Sequence, residues 1–257
     1  MSNIPLIEPD ETKKEIIDFI RNKINESNTN GIVIGLSGGL DSSTIAYLSS
    51  EAIDKGNVLG ILMPSKTTPK EDNEHAKLIA SKLEIETKEI NIDNILNKYL
   101  KDLESENSKL AIGNLKARIR MTILYYYANL NNYLVMGTSN KSEILIGYFT
   151  KYGDGAADAE PIGHIYKSQL KKIAKDWSIP SEIINKPPRA GLWENQNDED
   201  EIGMTYELLD KILYMLVDEK KDKKEIANIL EIPINKVKEI DLKVENNKHK
   251  SKLPDII

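Results

Sequence analysis

The sequence contains no cysteine, and that absence alone removes disulfides, thiolate zinc sites, persulfide chemistry and cysteine nucleophiles. Histidine is scarce: His75, His164 and His249 are the only three, so any Ser-His-Asp chemistry must draw on them. No run approaches the roughly 20 apolar residues that a membrane helix requires, and an integral membrane protein is not expected. The N-terminal MSNIPLIEPDETKKE lacks the basic region and apolar run of a secretory signal, so cytoplasmic residence is the expectation. An excess of basic charge is missing as well. With 35 Lys plus Arg against 41 Asp plus Glu, the formal charge is −6. Neutralising a phosphate backbone takes clustered basic charge, which disfavours a dedicated nucleic-acid binder.

What is present suits a globular protein. The 257 residues, 40% hydrophobic and 30% charged, can bury a core without staples. No internal repeat and no Gly/Ser linker interrupts them, so residues 1–257 read as one domain. From Asp10 to Ser27, Ile16, Ile17, Ile20 and Ile24 fall at helical spacing. A strand over Gly31–Leu36, a glycine turn and a helix after Asp41 follow. Further strands are expected at Val58–Met63, Thr87–Ile92 and Tyr133–Thr138, with helices over Pro69–Leu83, Asn114–Leu130 and Lys141–Ile146 between and after them. This alternation predicts an α/β fold, a doubly wound, mostly parallel sheet with helices on both faces. Two irregular stretches, Phe149–His164 and Lys186–Asp200, are too long for simple connectors and read as functional loops. Helices are expected again at Lys167–Trp177, Tyr206–Val217 and Lys223–Leu230, before a basic tail.

The turn Gly35-Leu36-Ser37-Gly38-Gly39-Leu40-Asp41-Ser42 lies between a strand end and a helix start. Glycines there expose backbone N–H groups toward the positive end of a helix, so the expected ligand is an anion. Three other readings compete. A Walker A loop requires a Lys after the glycines, and none is present. Gly35 to Gly39 matches G-x-S-x-G, the hydrolase elbow with Ser37 as nucleophile, but that pattern has no use for Asp41 and Ser42. A glycine turn that merely closes a strand-to-helix connection is the blandest. Farther on, Lys224–Ile240 has helix-turn-helix spacing, which two packed amphipathic helices also produce. Arg118 and Arg120, two apart on a helix, cannot share a face, and both read as solvated charges.

The string SGGLDS resembles the signature loop of the N-type ATP pyrophosphatases, of the adenine nucleotide alpha hydrolase-like (Rossmann-like) fold class. Three further segments, GNLKARIRM (113–121), GTSNKSE (137–143) and FTKYGDGAAD (149–158), follow in order and spacing, and the chain resembles the ammonia-dependent NAD synthetase family over nearly its whole length. The resemblance implies conversion of deamido-NAD to NAD through an acyl-adenylate, with ATP as co-substrate, free ammonia as nitrogen donor and Mg²⁺ as cofactor. It implies that Gly35, Leu36, Ser37, Gly38, Gly39, Leu40, Asp41 and Ser42, with Thr138, Lys167 and Arg189, contact ATP. Asp41 and Glu143 would hold Mg²⁺, and Arg118, Lys151, Asp158, His249 and Lys250 would contact deamido-NAD. No covalent nucleophile is implied, and Arg120 is given no role. The chain departs from the family at Arg189, where Thr or Ser is common. Homodimers are usual in the family, and the helix carrying Ile123, Leu124 and Tyr125–Tyr127 is a candidate for that contact or for the core. Glutamine-using relatives add a glutaminase domain with a catalytic cysteine, and neither the length nor the composition here provides for one.

Overall fold

The computed structural model describes residues 4–103, 108–194, 196–254 and 256. The first three residues of the N-terminal stretch, Asn195 of the second irregular loop, and Asp255 and Ile257 of the tail lie outside the described residues. Four strands form one parallel sheet: β1 (Gly31–Gly35), β2 (Val58–Leu62), β3 (Glu86–Glu89) and β4 (Tyr133–Met136). Their order is β3-β2-β1-β4, with Ile32 opposite both Val58 and Leu134. The chain works outward from β1 through β2 to β3, then returns to place β4 on the other side of β1. That reversal puts the C-terminal ends of β1 and β4 side by side with their connections diverging, the crevice where open α/β sheets gather ligands.

The helices are α1 (Pro9–Ser27), α2 (Leu40–Ala52), α3 (Lys70–Leu83), α4 (Asp93–Asp102), α5 (Lys109–Asn131) and α6 (Lys141–Ile146). They continue with α7 (Lys167–Ile173), α8 (Ser181–Ile184), α9 (Asp198–Ile202), α10 (Tyr206–Leu213), α11 (Lys223–Leu230) and α12 (Ile234–Asn247). Strand alternation splits the core. Ile32 and Ile34 pack with α1, α2 and α3 on one face, while Val33, Val135, Leu59 and Ile61 pack with α4 and α5 on the other. In α1, Ile16, Ile20 and Ile24 repeat every fourth residue along the buried stripe, and each contributes roughly 1.5–3 kcal/mol by leaving water. A third apolar cluster joins α6 to α10, α11 and α12 through Leu209, Ile212, Ile226, Val237 and Ile240. The residues with helix-turn-helix spacing thus turn their apolar faces into this cluster. No helix among the described residues is long and apolar enough to cross a membrane.

Several boundaries differ from the sequence expectation. The third strand lies at Glu86–Glu89 on the sheet edge, and Ile92, read as strand, is buried beneath the start of α4, a helix the sequence left unassigned. The helix expected to reach Trp177 ends at Ile173, and Trp177 instead donates its indole N–H to the Pro9 carbonyl at 3.0 Å. The helix beginning at Tyr206 widens into a π turn over Tyr214–Asp218.

A buried polar knot fixes the helices that carry the site. Asp210, fully buried on α10, accepts the Ser142 hydroxyl at 2.5 Å and the Ser168 N–H at 2.8 Å, and the Ser142 hydroxyl accepts the Lys167 N–H at 2.9 Å. One carboxylate therefore ties α6 and α7 to α10, and burial raises its pKa. Asp210→Ala strands these donors without water. We expect a loss of about 2–4 kcal/mol and, in a thermal melt followed by circular dichroism, a Tm lower by roughly 5–12 °C; an unchanged Tm would show that the knot holds nothing.

Candidate active site

The glycine loop runs from the end of β1 into α2. Gly38 takes φ +71°, and a Cβ there would come 2.0 Å from the Asp72 carbonyl, so only glycine fits. Gly39 is the N-cap of α2 and makes no side-chain cap, leaving the first-turn N–H groups free for an anion. Ser37 and Ser42 bond to each other through their hydroxyls at 2.9 Å, which pins the loop. Beside it a cavity of 680 Å³ is lined by Gly35, Leu36, Ser37, Gly39, Leu40, Asp41 and Ser42, and by Thr138, Glu143, Lys167, Arg189 and Lys250.

One wall of the cavity is a charge cluster. Lys167, at the start of α7, bonds Asp41 through Nζ and lies 3.9 Å from Glu143 Oε1. The Lys167, Asp41 and Glu143 side chains are 11%, 18% and 15% exposed. Asn140 aligns them: its amide donates to Asp41 at 3.3 Å, and it forms a reciprocal cap with Glu143, with both bonds at 3.1 Å. Burial works against the Lys167 charge, but Asp41 and Glu143 overcome it and hold the ammonium's pKa above the usual lysine value. Burial and then the Asp41 charge push Glu143 well above the carboxylate range, against the pull of Lys167.

Asp198, which the sequence left within an acidic loop, faces the same cluster. It accepts from the Tyr148 hydroxyl and the Ala190 N–H, each at 3.0 Å, and burial moves its pKa up to about 6. Tyr206, whose ring lies 5.7 Å from Lys167 Nζ, is buried, and its hydroxyl has no hydrogen-bond partner among the described residues. Asp41 and Glu143 present carboxylate oxygens to the same cavity, and oxygen donors are what a hard divalent ion such as Mg²⁺ prefers. Asp41 and Glu143 are the residues that would hold it. The opposite side of the loop is cationic. Lys186 donates to the Gly38 carbonyl at 2.9 Å, and Arg189 donates to Asp72 at 2.5 Å. Lys116, also buried, donates to the Thr67 hydroxyl at 2.9 Å and to the Leu192 carbonyl at 2.7 Å, joining the loop after β2 to the loop after α8.

The remaining sequence candidates form a separate outer group. Arg118 donates to the Lys151 carbonyl at 3.3 Å, and Lys151 donates to the His249 carbonyl at 2.7 Å. Lys250 reaches back to the Gly147 carbonyl at 2.7 Å and is the member of this group that lines the cavity. Asp158 is engaged with the scaffold, accepting from the Val135 N–H at 2.7 Å and the Tyr125 hydroxyl at 2.9 Å. Arg120, unlike the exposed Arg118, is half-buried; it donates to the Met63 carbonyl at 3.1 Å, and desolvation lowers its pKa to about 10. The pairing of opposite faces was legible in the spacing; the burial of Arg120 was not. Ser37 has no histidine partner among the described residues, since His75 meets Lys186 instead, so the hydrolase elbow is not assembled.

A family model described as NAD synthase matches residues 12–254. The chain belongs to the NAD synthase family. A curated relative from Thermococcus sibiricus, an NH₃-dependent NAD⁺ synthetase, is 48% identical over 93% of this chain and 94% of its own. Among solved structures, an NMN synthetase from Francisella tularensis superposes with TM-score 0.87 at 32% identity, covering 98% of this chain and 99% of that one. An NH₃-dependent NAD synthetase from Campylobacter jejuni gives TM-score 0.82 at 33% identity with the same coverage. The parallel sheet with its flanking helices thus has the fold of these solved relatives, and the α/β expectation holds.

One half-buried carboxylate, Glu160, lies just behind the site. Glu160 accepts the Ser139 N–H at 2.9 Å and packs on Gly137, where a Cβ would come 2.2 Å from its carboxyl carbon. It thereby holds the turn that carries Thr138 and Asn140. Burial raises its pKa from 4.5 to about 8. The folded state binds this proton more tightly than the unfolded chain, so the associated stability is full below pH 4.5 and is lost as pH rises toward about 8. Glu160→Gln keeps the acceptor and removes the titration. Melts at pH 5 and pH 8 should show a larger fall in Tm for the wild-type protein than for the variant; equal falls would exclude the effect.

Proposed function

We propose that this chain amidates deamido-NAD to NAD with free ammonia, splitting ATP to AMP and pyrophosphate. The observation that carries this reading is the placement of an uncapped, glycine-lined helix start and the Asp41–Lys167–Glu143 cluster on one cavity. The name shared by the curated relatives, NH₃-dependent NAD⁺ synthetase, supports it, free ammonia included.

Chemically, the nicotinate carboxylate is a poor acyl donor. Its oxygen attacks the α-phosphorus of ATP, and the bond to the β-phosphate oxygen breaks. The phosphates leave as pyrophosphate on the Gly38-Gly39 turn. Ammonia then attacks the acyl carbon of the adenylate, AMP departs and the lost proton passes to solvent. Lys167 offsets charge on the phosphates, and positioning supplies much of the rate. Mg²⁺, held by Asp41 and Glu143, would supply Lewis-acid neutralisation of phosphate oxygens. Thr138 and Arg189 contact ATP in this reading. Arg118, Lys151, Asp158, His249 and Lys250 contact deamido-NAD, with Lys250 reaching the cavity and the others forming its outer margin.

Two copies pairing along α5 are part of the proposal. Tyr126 and Leu130, 62% and 64% exposed, leave that helix apolar on its outside. Apolar clusters from both sheet faces and the C-terminal helices border one cavity, which supports a single functional unit with no separable domain. Cytoplasmic residence, where ATP is made and used, is included.

The test mixes protein, Mg-ATP, deamido-NAD and ammonium. NAD and pyrophosphate should form in equal amounts; failure of either removes the proposal. Glutamine in place of ammonium should give no turnover. Because one structural neighbour is an NMN synthetase, nicotinate mononucleotide is run in parallel, and deamido-NAD should have the higher kcat/KM. Asp41→Asn and Glu143→Gln should each lower kcat by about 100-fold or more if they stabilise transferring charge, with Tm within about 3 °C of wild type.

A further inference from the structure

Asp72 sits in the first turn of α3, whose backbone abuts the phosphate loop at Gly38. Its Oδ1 accepts from two cations at once, Lys186 Nζ at 2.6 Å and Arg189 Nη2 at 2.5 Å. The three side chains are 9%, 6% and 24% exposed, and all line the cavity. Lys186 is also bonded to the Gly38 carbonyl, so the pair of cations is anchored to the loop itself. Arg189 Nε has no partner among the described residues, and the guanidinium uses only some of its five donors there. A carboxylate oxygen with two cations closing on it is an anion site already filled by the protein's own anion. The first turn of α2, uncapped, faces the same space.

We propose that Asp72 is a built-in competitor for pyrophosphate: an internal anion that shares Lys186 and Arg189 with the leaving group, weakens its hold and so promotes its release. This rests on reading the glycine loop as the site of the ATP phosphates. Cleavage leaves a small, highly charged product among loop N–H groups and two cations, an arrangement that binds tightly if nothing opposes it. Asp72 opposes it twice, by repelling the product and by offering the cations a partner to return to. A scaffold role predicts the reverse sign: if Asp72 only orients Lys186 and Arg189, its loss weakens pyrophosphate binding.

Titration calorimetry of sodium pyrophosphate into the whole protein at fixed magnesium decides between them. Asp72→Asn keeps the size and an acceptor oxygen while removing the charge. Its pyrophosphate Kd should fall about tenfold, the scale expected for deleting one adjacent charge at a partly buried site; an unchanged or raised Kd overturns the proposal. In an Arg189→Ser background the same change should yield about threefold or less, since one shared cation is gone. An undiminished gain there overturns the sharing. Should Asp72→Asn not fold, Asp72→Ser must show the same sign. Wild-type protein that makes no NAD removes the proposed function, whereas wild-type turnover with pyrophosphate affinity indifferent to Asp72 removes only this inference.

Discussion

Asp41 and Glu143 converge on the ammonium of Lys167, with all three side chains largely withdrawn from water. Their mutual repulsion and loss of water must be met by a cation in the same space, and the fold supplies Lys167 for that purpose. Each member arrives from a different segment: Asp41 from the start of α2, Glu143 from α6 and Lys167 from α7. The sheet order brings the first two together, because β1 and β4 are neighbours whose chains diverge at the same end. The Asp210 knot brings the third. A requirement of electrostatics in a dry pocket thus sets tolerances on helix packing some distance away, and the C-terminal helices serve the site through Asp210 without lining its phosphate loop.

How far this was legible in the sequence differs by residue. The glycine turn announced itself because backbone chemistry at a strand-to-helix turn is local: glycine spacing states the conformation, and Gly38 adopts the φ that excludes a side chain. The sheet was readable for the same reason, as short apolar runs in GIVIG and VLGIL that are buried on both faces, as the central strands of a covered parallel sheet must be. The edge strand ETKE was misplaced since one exposed edge carries almost no hydrophobic signal, and α4 was missed where Ile92 and Leu96 resembled the tail of a strand. In the site, Asp198, Asn140 and Lys186 went unassigned. Each gains its role from partners dozens of residues away, Tyr148 and Lys167, Asp41, and Gly38 respectively, and no spacing rule carries that information.

The two groups of candidate ligand residues differ physically as well as in position. The phosphate side is rigid: backbone N–H groups, buried charges and helix caps set before any ligand arrives. In the outer group Arg118 and His249 are exposed and Lys151 half-buried, and the Arg118 and Lys151 side chains bond the backbone carbonyls of Lys151 and His249 respectively. Such contacts leave guanidinium and ammonium groups with donors to spare.

Lys116 gives the cavity a further property. A single buried ammonium bonds both the loop after β2, through Thr67, and the loop after α8, through Leu192, and its desolvation makes an unpaired intermediate expensive. If either loop withdrew alone, that charge would keep only half its partners in a place that water does not reach. The two loops that flank the cavity are therefore tied through one ammonium, and displacing either one strips that charge of a partner.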